Sequence, residues 1–431
     1  MTIMSPLELS QDFNNVLNLL EKDRKNLFVT GRAGTGKSTL LQLFRKTTAK
    51  KQVVLAPTGV AALNVKGQTI HSFFNFPPRL FDPSQIKMGK NKKLMKELEV
   101  IIIDEISMVR ADIIDAIDYV LRIVRNNNKP FGGVQMVVFG DLFQLPPVVT
   151  QETQEWLKFR NYSSPYFFSA NLFSTSPDLF EMFELHKIYR QDNKLFIRLL
   201  EAVRLNKAEE DDLALLNERC VPSFSSDDHY ITLCARNYTA DKINQTQLNL
   251  LQSVAKPYLA KVTGNFQPSQ FPTEPILQLK VGAQVMILRN DPEGNYVNGS
   301  IGTIHSLQDN EIELVLDKDG NKSMVSLSPL SWEILQYKLD PKNPNKISTE
   351  TIGTFTQIPV RLAWGVTIHK AQGKTFDKII IDLAGGAFEH GQTYVALSRC
   401  RTLDGIVLRH PLKPSDLKTD PIIVDYYQMF S

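Results

Sequence analysis

The chain has 431 residues, 42% hydrophobic and 22% charged, which is more than one compact core usually takes and excludes wholesale disorder, collagen-like and coiled-coil architectures. Its 49 Lys and Arg against 46 Asp and Glu leave a net +3, too little for the whole surface to trap a polyanion, so any nucleic-acid binding belongs to a local groove. Three scattered cysteines, Cys220, Cys234 and Cys400, and 7 histidines without ligand spacing remove a disulfide framework and a Cys- or His-built metal site.

The opening MTIMSPLELSQ has neither a basic patch followed by an apolar stretch nor an Arg-rich amphipathic pattern, so no targeting segment is expected. The apolar runs are strand-sized, so no membrane span is expected and the address is read as intracellular. Leu27 to Thr30 runs into GRAGTGKS, Gly31 to Ser38, and then into a helical pattern. This is a full GxxxxGK[ST] phosphate loop in its proper context. Its glycines let successive N–H groups converge on phosphate oxygens, Lys37 supplies a point charge to the β and γ phosphates, and Ser38 ligates Mg²⁺.

Val53 to Ala56 ends in Pro57, Thr58 and Gly59. Thr69 to Phe81 then packs His71, Phe73, Phe74 and Phe76 beside Pro77, Pro78 and Arg79, a cluster that either stacks on bases or closes a mini-core. Lys87, Lys90, Lys92, Lys93 and Lys96 read as a solvated face. Val100 to Ile103 delivers Asp104 and Glu105, the first to hold Mg²⁺ and the second to orient or deprotonate the attacking water. Ala111 to Arg125 is predicted to be a covering helix, with Ile113, Ile114, Ile117, Val120, Leu121 and Val124 inward and Asp118 and Arg122 outward. Met136 to Phe139 runs into GDLFQLPP, where Gln144 can reach a γ-phosphate oxygen and the prolines fix the exit path. Such runs predict central parallel strands whose carboxyl ends share one ligand edge.

A second α/β domain is expected from about Leu185. Arg190 in LHKIYRQ and Arg399 in YVALSRCR are the candidates for neutralising transition-state charge from a facing domain. Arg236 and Asn237 follow the run Tyr230 to Cys234, and Thr367, His369 and Lys370 follow Trp364; such groups at strand ends suit phosphate contacts. Between them, Val285 to Leu288, Ile301 to Leu307, Ile312 to Leu316 and Ser323 to Leu327, separated by turn signals, predict a small antiparallel barrel closed by DPKNPNKIS at about Lys346.

GRAGTGKS, APTGVAA with TIHSFF, IIIDEISMV, VFGDLFQLPPV, LHKIYRQ, WGVTIHKAQGKTFD and YVALSRCR resemble the motifs of superfamily-one helicases, specifically the Pif (petite integration frequency) family of DNA helicases. ADIIDAIDYVLRIVRNNNKPFGGVQ is similar to the segment that separates this family from its RecD and Dda relatives.

The resemblance covers nearly the whole chain and implies an α/β fold of two RecA-like parallel-sheet domains with ATP and Mg²⁺ between them. Residues 1–184 would form the first, with a small wedge insertion at about 65–82, and 185–431 the second, with an SH3-like β-barrel inserted at about 266–347. It implies 5′ to 3′ movement on single-stranded DNA, unwinding of duplex junctions and G-quadruplexes, roles in replication, repair or recombination, and, for a compact bacterial-type member, a cytoplasmic, nucleoid-associated place of action.

Carried residue by residue, the nucleotide site comprises Gln11, Gly31, Ala33, Gly34, Thr35, Gly36, Lys37, Ser38, Thr39, Asp104, Glu105, Gln144, Arg190, Gly373 and Arg399, with Ser38 and Asp104 at the metal. Gln11 stands for the adenine-reading Gln, although Asn14 occupies the nearer register. The DNA-contacting set comprises Pro57, Thr58, Gly59, His71, Phe73, Pro146, Arg236, Asn237, Trp364, Thr367, His369 and Lys370. The rival readings are a RecD-like or RNA helicase, a DNA-stimulated ATPase that remodels nucleoprotein, a single-strand binding protein tuned by ATP, and a GTPase, which the absence of an NKxD string disfavours.

Overall fold

The computed structural model describes residues 11–429 apart from 23–24, 87–88, 90, 226–228, 319–320, 341–342 and 344–345; the opening segment, Lys87 and Lys90 therefore lie outside the described residues. The first half is built on six parallel strands, β1 (Leu27–Gly31), β2 (Gln52–Ala56), β3 (Gln68–Thr69), β4 (Val100–Ile103), β5 (Gln135–Phe139) and β6 (Glu181–Leu185), in the order β3-β2-β4-β5-β1-β6. The interior strands are apolar at nearly every position because both faces are covered. Phe28, Val53, Ile101, Ile103 and Val138 join one buried cluster, and Val29, Val54, Val100, Ile102 and Val137 the other. Helix Lys37–Thr47 covers the second face and Ala111–Arg125 the first, the latter with the bounds expected from its periodicity. Asp118 departs from its expected outward position. It is 9% exposed, because besides its ion pair with Arg122 at 2.7 Å it accepts the Phe131 N–H at 2.6 Å.

β7 (Ile231–Cys234) opens the second parallel sheet; the chain then leaves it for an antiparallel region and returns as β18 (Gly365–Thr367), β19 (Ile379–Asp382) and β20 (Ile406–Leu408), in the order β18-β7-β19-β20. The detour comprises β8 (Lys256–Leu259), β9 (Lys261–Gly264), β10 (Ile276–Leu279), β11 (Gln284–Ile287), β12 (Ile301–Leu307), β13 (Ile312–Lys318), β14 (Asn321–Leu327), β15 (Leu330–Leu339), β16 (Ile347–Gln357) and β17 (Val360–Leu362). The four expected barrel strands are β11 to β14, and β17 completes their sheet. DPKNPNKIS does not close the barrel. It joins β15 to β16, whose ten-residue pairing is the longest in this region, so the antiparallel strands run from Lys256 to Leu362 rather than from 266 to 347.

The expected wedge segment begins inside the first sheet, since β3 pairs with β2. After it, Phe73, Phe74, Phe76 and Phe81 are buried against one another and against Tyr337 of β15, whose hydroxyl accepts the Val54 N–H at 3.0 Å. The aromatic cluster is a mini-core that seats the long hairpin. The helix Pro421–Gln428, which follows the second sheet, lies on the first half: Tyr426 stacks on Phe168 at 4.0 Å, the Tyr427 hydroxyl bonds Thr30, and Tyr166 donates to Asp420 at 2.9 Å. No helix among the described residues is long and apolar enough to cross a membrane.

Candidate active site

β1 ends in the phosphate loop, and Gly36 (φ 87°) turns it into helix Lys37–Thr47, whose free N–H groups face the loop. Gly34 is required for a different reason: a Cβ there would lie 2.5 Å from the Cβ of Arg190. The Tyr189 N–H donates to the Gly34 carbonyl at 2.9 Å, so the segment after β6 is laced to the loop and Arg190 is placed by it. Lys37 Nζ donates to the carbonyls of Gly31 and Arg32 at 2.6 and 3.0 Å. Burial lowers its pKa, opposed by Asp141 and Glu105.

Asp104 and Glu105 leave β4 at the same edge. Burial and the adjacent Glu105 raise the Asp104 pKa to about 7, and burial raises that of Glu105. Gln372 Nε2 donates to Glu105 Oε2 at 3.1 Å, an orienting contact brought from beyond β18. Ser38 and Asp104 line the same cleft. A hydroxyl and a buried carboxylate beside a second, partly buried one suit a hard divalent cation, whose charge offsets the burial that raises both pKa values. Among the described residues no group of three or more His, Cys, Asp or Glu is arranged to hold a metal ion.

The opposite wall supplies cations. Arg399 is 1% exposed and is held by the Val395 carbonyl at 3.0 Å and Ser398 Oγ at 2.9 Å. Arg190 donates to the Ser398 carbonyl at 3.0 Å. Burial and the neighbouring Arg399 push the Arg190 pKa down to about 9, and burial lowers that of Arg399. Neither has an ion pair among the described residues. A buried guanidinium, Arg399, and a half-buried one, Arg190, thus share a cleft of about 470 Å³ with Lys37, Ser38, Thr39, Asp104, Glu105, Gln144 and Gly373.

Tyr189, Thr375 and Arg401 also line it and were not singled out by sequence; Arg401 was visible only as the last letter of SRCR. Gly31 and Thr35 of the loop are buried and do not line the cleft. Gln11 is the exposed first residue of helix Gln11–Lys22 and does not line the cleft; Phe13 does approach it, edge-on to Tyr189 at 6.5 Å and against Gly36.

On the expected DNA side, Thr58 is exposed and caps helix Gly59–Asn64 through the Ala61 N–H at 3.2 Å, and Gly59 lies under Gln270 from the antiparallel region. Pro146 is half-buried, beside exposed Val148. In the second half Arg236 lies over the Phe388 ring at 5.8 Å, His369 meets Glu389 at 3.0 Å, and Asn237 and Lys370 are exposed. Tyr238 (74% exposed) and Phe388 (47%) are aromatic rings at this edge that sequence reasoning passed over.

Three expectations change. Phe73 is 1% exposed and serves the mini-core, so it is unavailable to bases. Beside it, and not one of the three, His71 is half-buried and edge-on to Phe76, and burial lowers its pKa. Thr367 is 4% exposed, its hydroxyl spent on capping the turn at Lys370. Trp364 precedes β18 at the end opposite Thr367, packs on the barrel core, and borders a separate 660 Å³ groove with Tyr230 and Lys242. Lys92, Lys93 and Lys96 are solvated, as read from the sequence.

A family model described as PIF1-like helicase matches residues 8–212, and one described as the 2B domain of DNA helicase Pif1 matches 267–307. The chain is 31% identical to the ATP-dependent DNA helicase Pif1 of Bdellovibrio bacteriovorus, over 98% of this chain and 92% of that protein. It is 33% identical to the ATP-dependent DNA helicase PIF1 of Danio rerio, over 93% of this chain but only 60% of that longer protein. Among solved structures, Bacteroides Pif1 in complex with ADP-AlF4 superposes with a TM-score of 0.90 at 40% identity, covering 98% of this chain and 97% of that one. Bacteroides Pif1 bound to single-stranded DNA gives 0.68 at 40% identity, with 98% and 96% covered.

Proposed function

The chain belongs to the PIF1-like helicase family, whose members are ATP-dependent DNA helicases, and from that premise we propose that it couples ATP hydrolysis to 5′ to 3′ movement on single-stranded DNA. In this reading it opens duplex junctions and G-quadruplexes, and acts on chromosomal DNA in the cytoplasm. The observation that carries it is the pair of guanidiniums without ion pairs among the described residues, Arg399 buried and Arg190 half-buried, lining one cleft with the phosphate loop and the carboxylate pair.

Lys37 and the loop N–H groups hold the β and γ phosphates. Ser38 and Asp104 would hold Mg²⁺, which would neutralise phosphate charge and favour the ionised carboxylates. Glu105, oriented by Gln372, accepts the proton of the attacking water. Gln144 reads the γ-phosphate, while Arg190 and Arg399 neutralise the charge that spreads over its equatorial oxygens. Attraction of both arginines to the triphosphate draws the halves together; loss of the γ-phosphate releases them. On the DNA side Thr58 and Gly59 on one half, and Arg236, Asn237 and Lys370 on the other, serve as alternating grips on phosphates that read no sequence. Tyr238 and Phe388 offer ring faces to any base.

The test is one gel: duplexes with a 5′ or a 3′ single-stranded tail, DNA and RNA versions, with and without ATP, for the wild type and for Lys37→Ala and Glu105→Gln. Unwinding of the 5′-tailed DNA alone, lost in both variants, is expected. Unwinding from the 3′ tail, or unwinding that survives Lys37→Ala, overturns the reading, and preference for the RNA duplex transfers it to an RNA helicase.

A further inference from the structure

Arg204, at the end of helix Lys194–Arg204, is 3% exposed. Its guanidinium lies 3.3 Å from Asp141, 3.5 Å from Glu201 and 3.7 Å from Glu184, over the Phe143 ring at 4.2 Å and the Tyr427 ring at 5.6 Å. A buried ion pair is a poor source of stability, so what it holds in place matters more. Asp141 Oδ1 accepts from Arg204 and from the Phe143 N–H at 3.2 Å; Oδ2 accepts from Gln144 Nε2 at 3.2 Å and from the Tyr394 hydroxyl at 3.3 Å.

A carboxylate has about four lone-pair sites, and here all are used. Gln144 Nε2 carries two hydrogens. Asp141 takes one, which fixes the direction of the other within the cleft that Gln144 lines. The Tyr394 hydroxyl can donate to Asp141 because it accepts from the phosphate-loop N–H of Ala33 at 3.0 Å. Tyr394 belongs to helix Gln392–Leu397, whose Val395 carbonyl holds Arg399 Nε at 3.0 Å.

We propose that Tyr394 and Arg204 are positioning residues that act through Asp141 to aim the Gln144 amide at the γ-phosphate and to set that aim in register with Arg399 from the facing half. The proposal rests on the ATPase reading above. Because Asp141, Tyr394 and Arg204 are buried and do not line the cleft that Gln144 lines, they act on turnover and not on ATP capture.

The experiment is steady-state ATP hydrolysis at saturating single-stranded DNA. Tyr394→Phe keeps the ring and removes the hydroxyl; it should lower kcat about tenfold, as expected for one buried hydrogen bond expressed in the transition state, with the KM for ATP and the unfolding temperature nearly unchanged. Tyr394→Phe combined with Gln144→Ala should be no slower than Gln144→Ala alone, since both act through one amide. Arg204→Lys, which keeps the charge and loses the fork, should retain more turnover than Arg204→Met. An unchanged kcat in Tyr394→Phe, or penalties that multiply in the double variant, overturns the positioning role while the wild type remains active. A wild type without DNA-stimulated turnover overturns the ATPase reading, and this proposal with it.

Discussion

Single residues at this cleft carry opposing demands, and Asp104 shows the cost. Burial and Glu105 raise its pKa to about 7, above the value of 3.8 for an unperturbed Asp. The folded state therefore binds more protons than the unfolded one between about pH 4 and 7, and stability falls as pH rises through that window. Without nucleotide and Mg²⁺, Asp104→Asn should remove this slope and raise stability at pH 7.5 by roughly 1 to 3 kcal/mol while abolishing turnover; chemical denaturation at pH 5 and 7.5 measures it.

The charged ends of strands β1 and β4 were legible in the sequence because phosphate-loop chemistry uses consecutive residues. Gln372, Tyr394 and Arg204 were not, since each acquires its role only when segments far apart in the chain meet. Gln11 stands exposed at the start of its helix, outside the lining of the cleft, while Phe13 of the same helix packs against Gly36.

Among elements, the hairpin of β15 and β16 is the one most at odds with expectation. Its strands read LSWEILQYKL and ISTETIGTFTQ and are partly exposed along much of their length. The first alternates apolar with polar residues but changes phase between Ile334 and Leu335, the second is mostly Ser, Thr and other polar residues, and the Pro and Asn residues between them resemble a linker; the apolar runs of β11 to β14 lie between clear turn signals and were legible. The mini-core that seats this hairpin makes its own prediction. Phe73→Ala should destabilise the fold by roughly 3 to 5 kcal/mol, the usual cost of deleting a buried Phe, with the affinity of the folded protein for single-stranded DNA unchanged. Fluorescence anisotropy alongside urea unfolding decides, and an affinity loss larger than the unfolded fraction would return Phe73 to the DNA. Tyr238→Ala and Phe388→Ala should do the reverse, weakening binding about tenfold each, within the range for one base stack, at unchanged stability. Strand-incorporated 2-aminopurine reports the stacking itself.

For the molecule as a whole, the net charge of +3 leaves attraction for DNA to local groups rather than to the whole surface. Among the DNA-side groups assigned here, the ones cationic at neutral pH are Arg236 and Lys370, so log affinity for single-stranded DNA should fall with log salt at a slope of about −1 to −2, against about −0.7 per phosphate neutralised. A slope steeper than about −4 would show that the basic face at Lys92, Lys93 and Lys96, or another patch, joins the path. The two-sheet architecture and its inserted barrel could be read from the spacing of apolar runs and turns. The docking of one half on the other could not, because it depends on side chains such as Tyr337 and Tyr427 that carry no local signature.

The closing helix Pro421–Gln428 adds a constraint to that docking. The polypeptide passes from the first half to the second after β6 and comes back at Phe168 and Thr30 through Tyr426 and Tyr427. With the hairpin seated through Tyr337 and helix Gln392–Leu397 tied to the phosphate loop through Tyr394, the halves are pinned at several separate points. Neither can drift as a free body, and any closing motion has to bend or re-pack these pins rather than carry one half away whole.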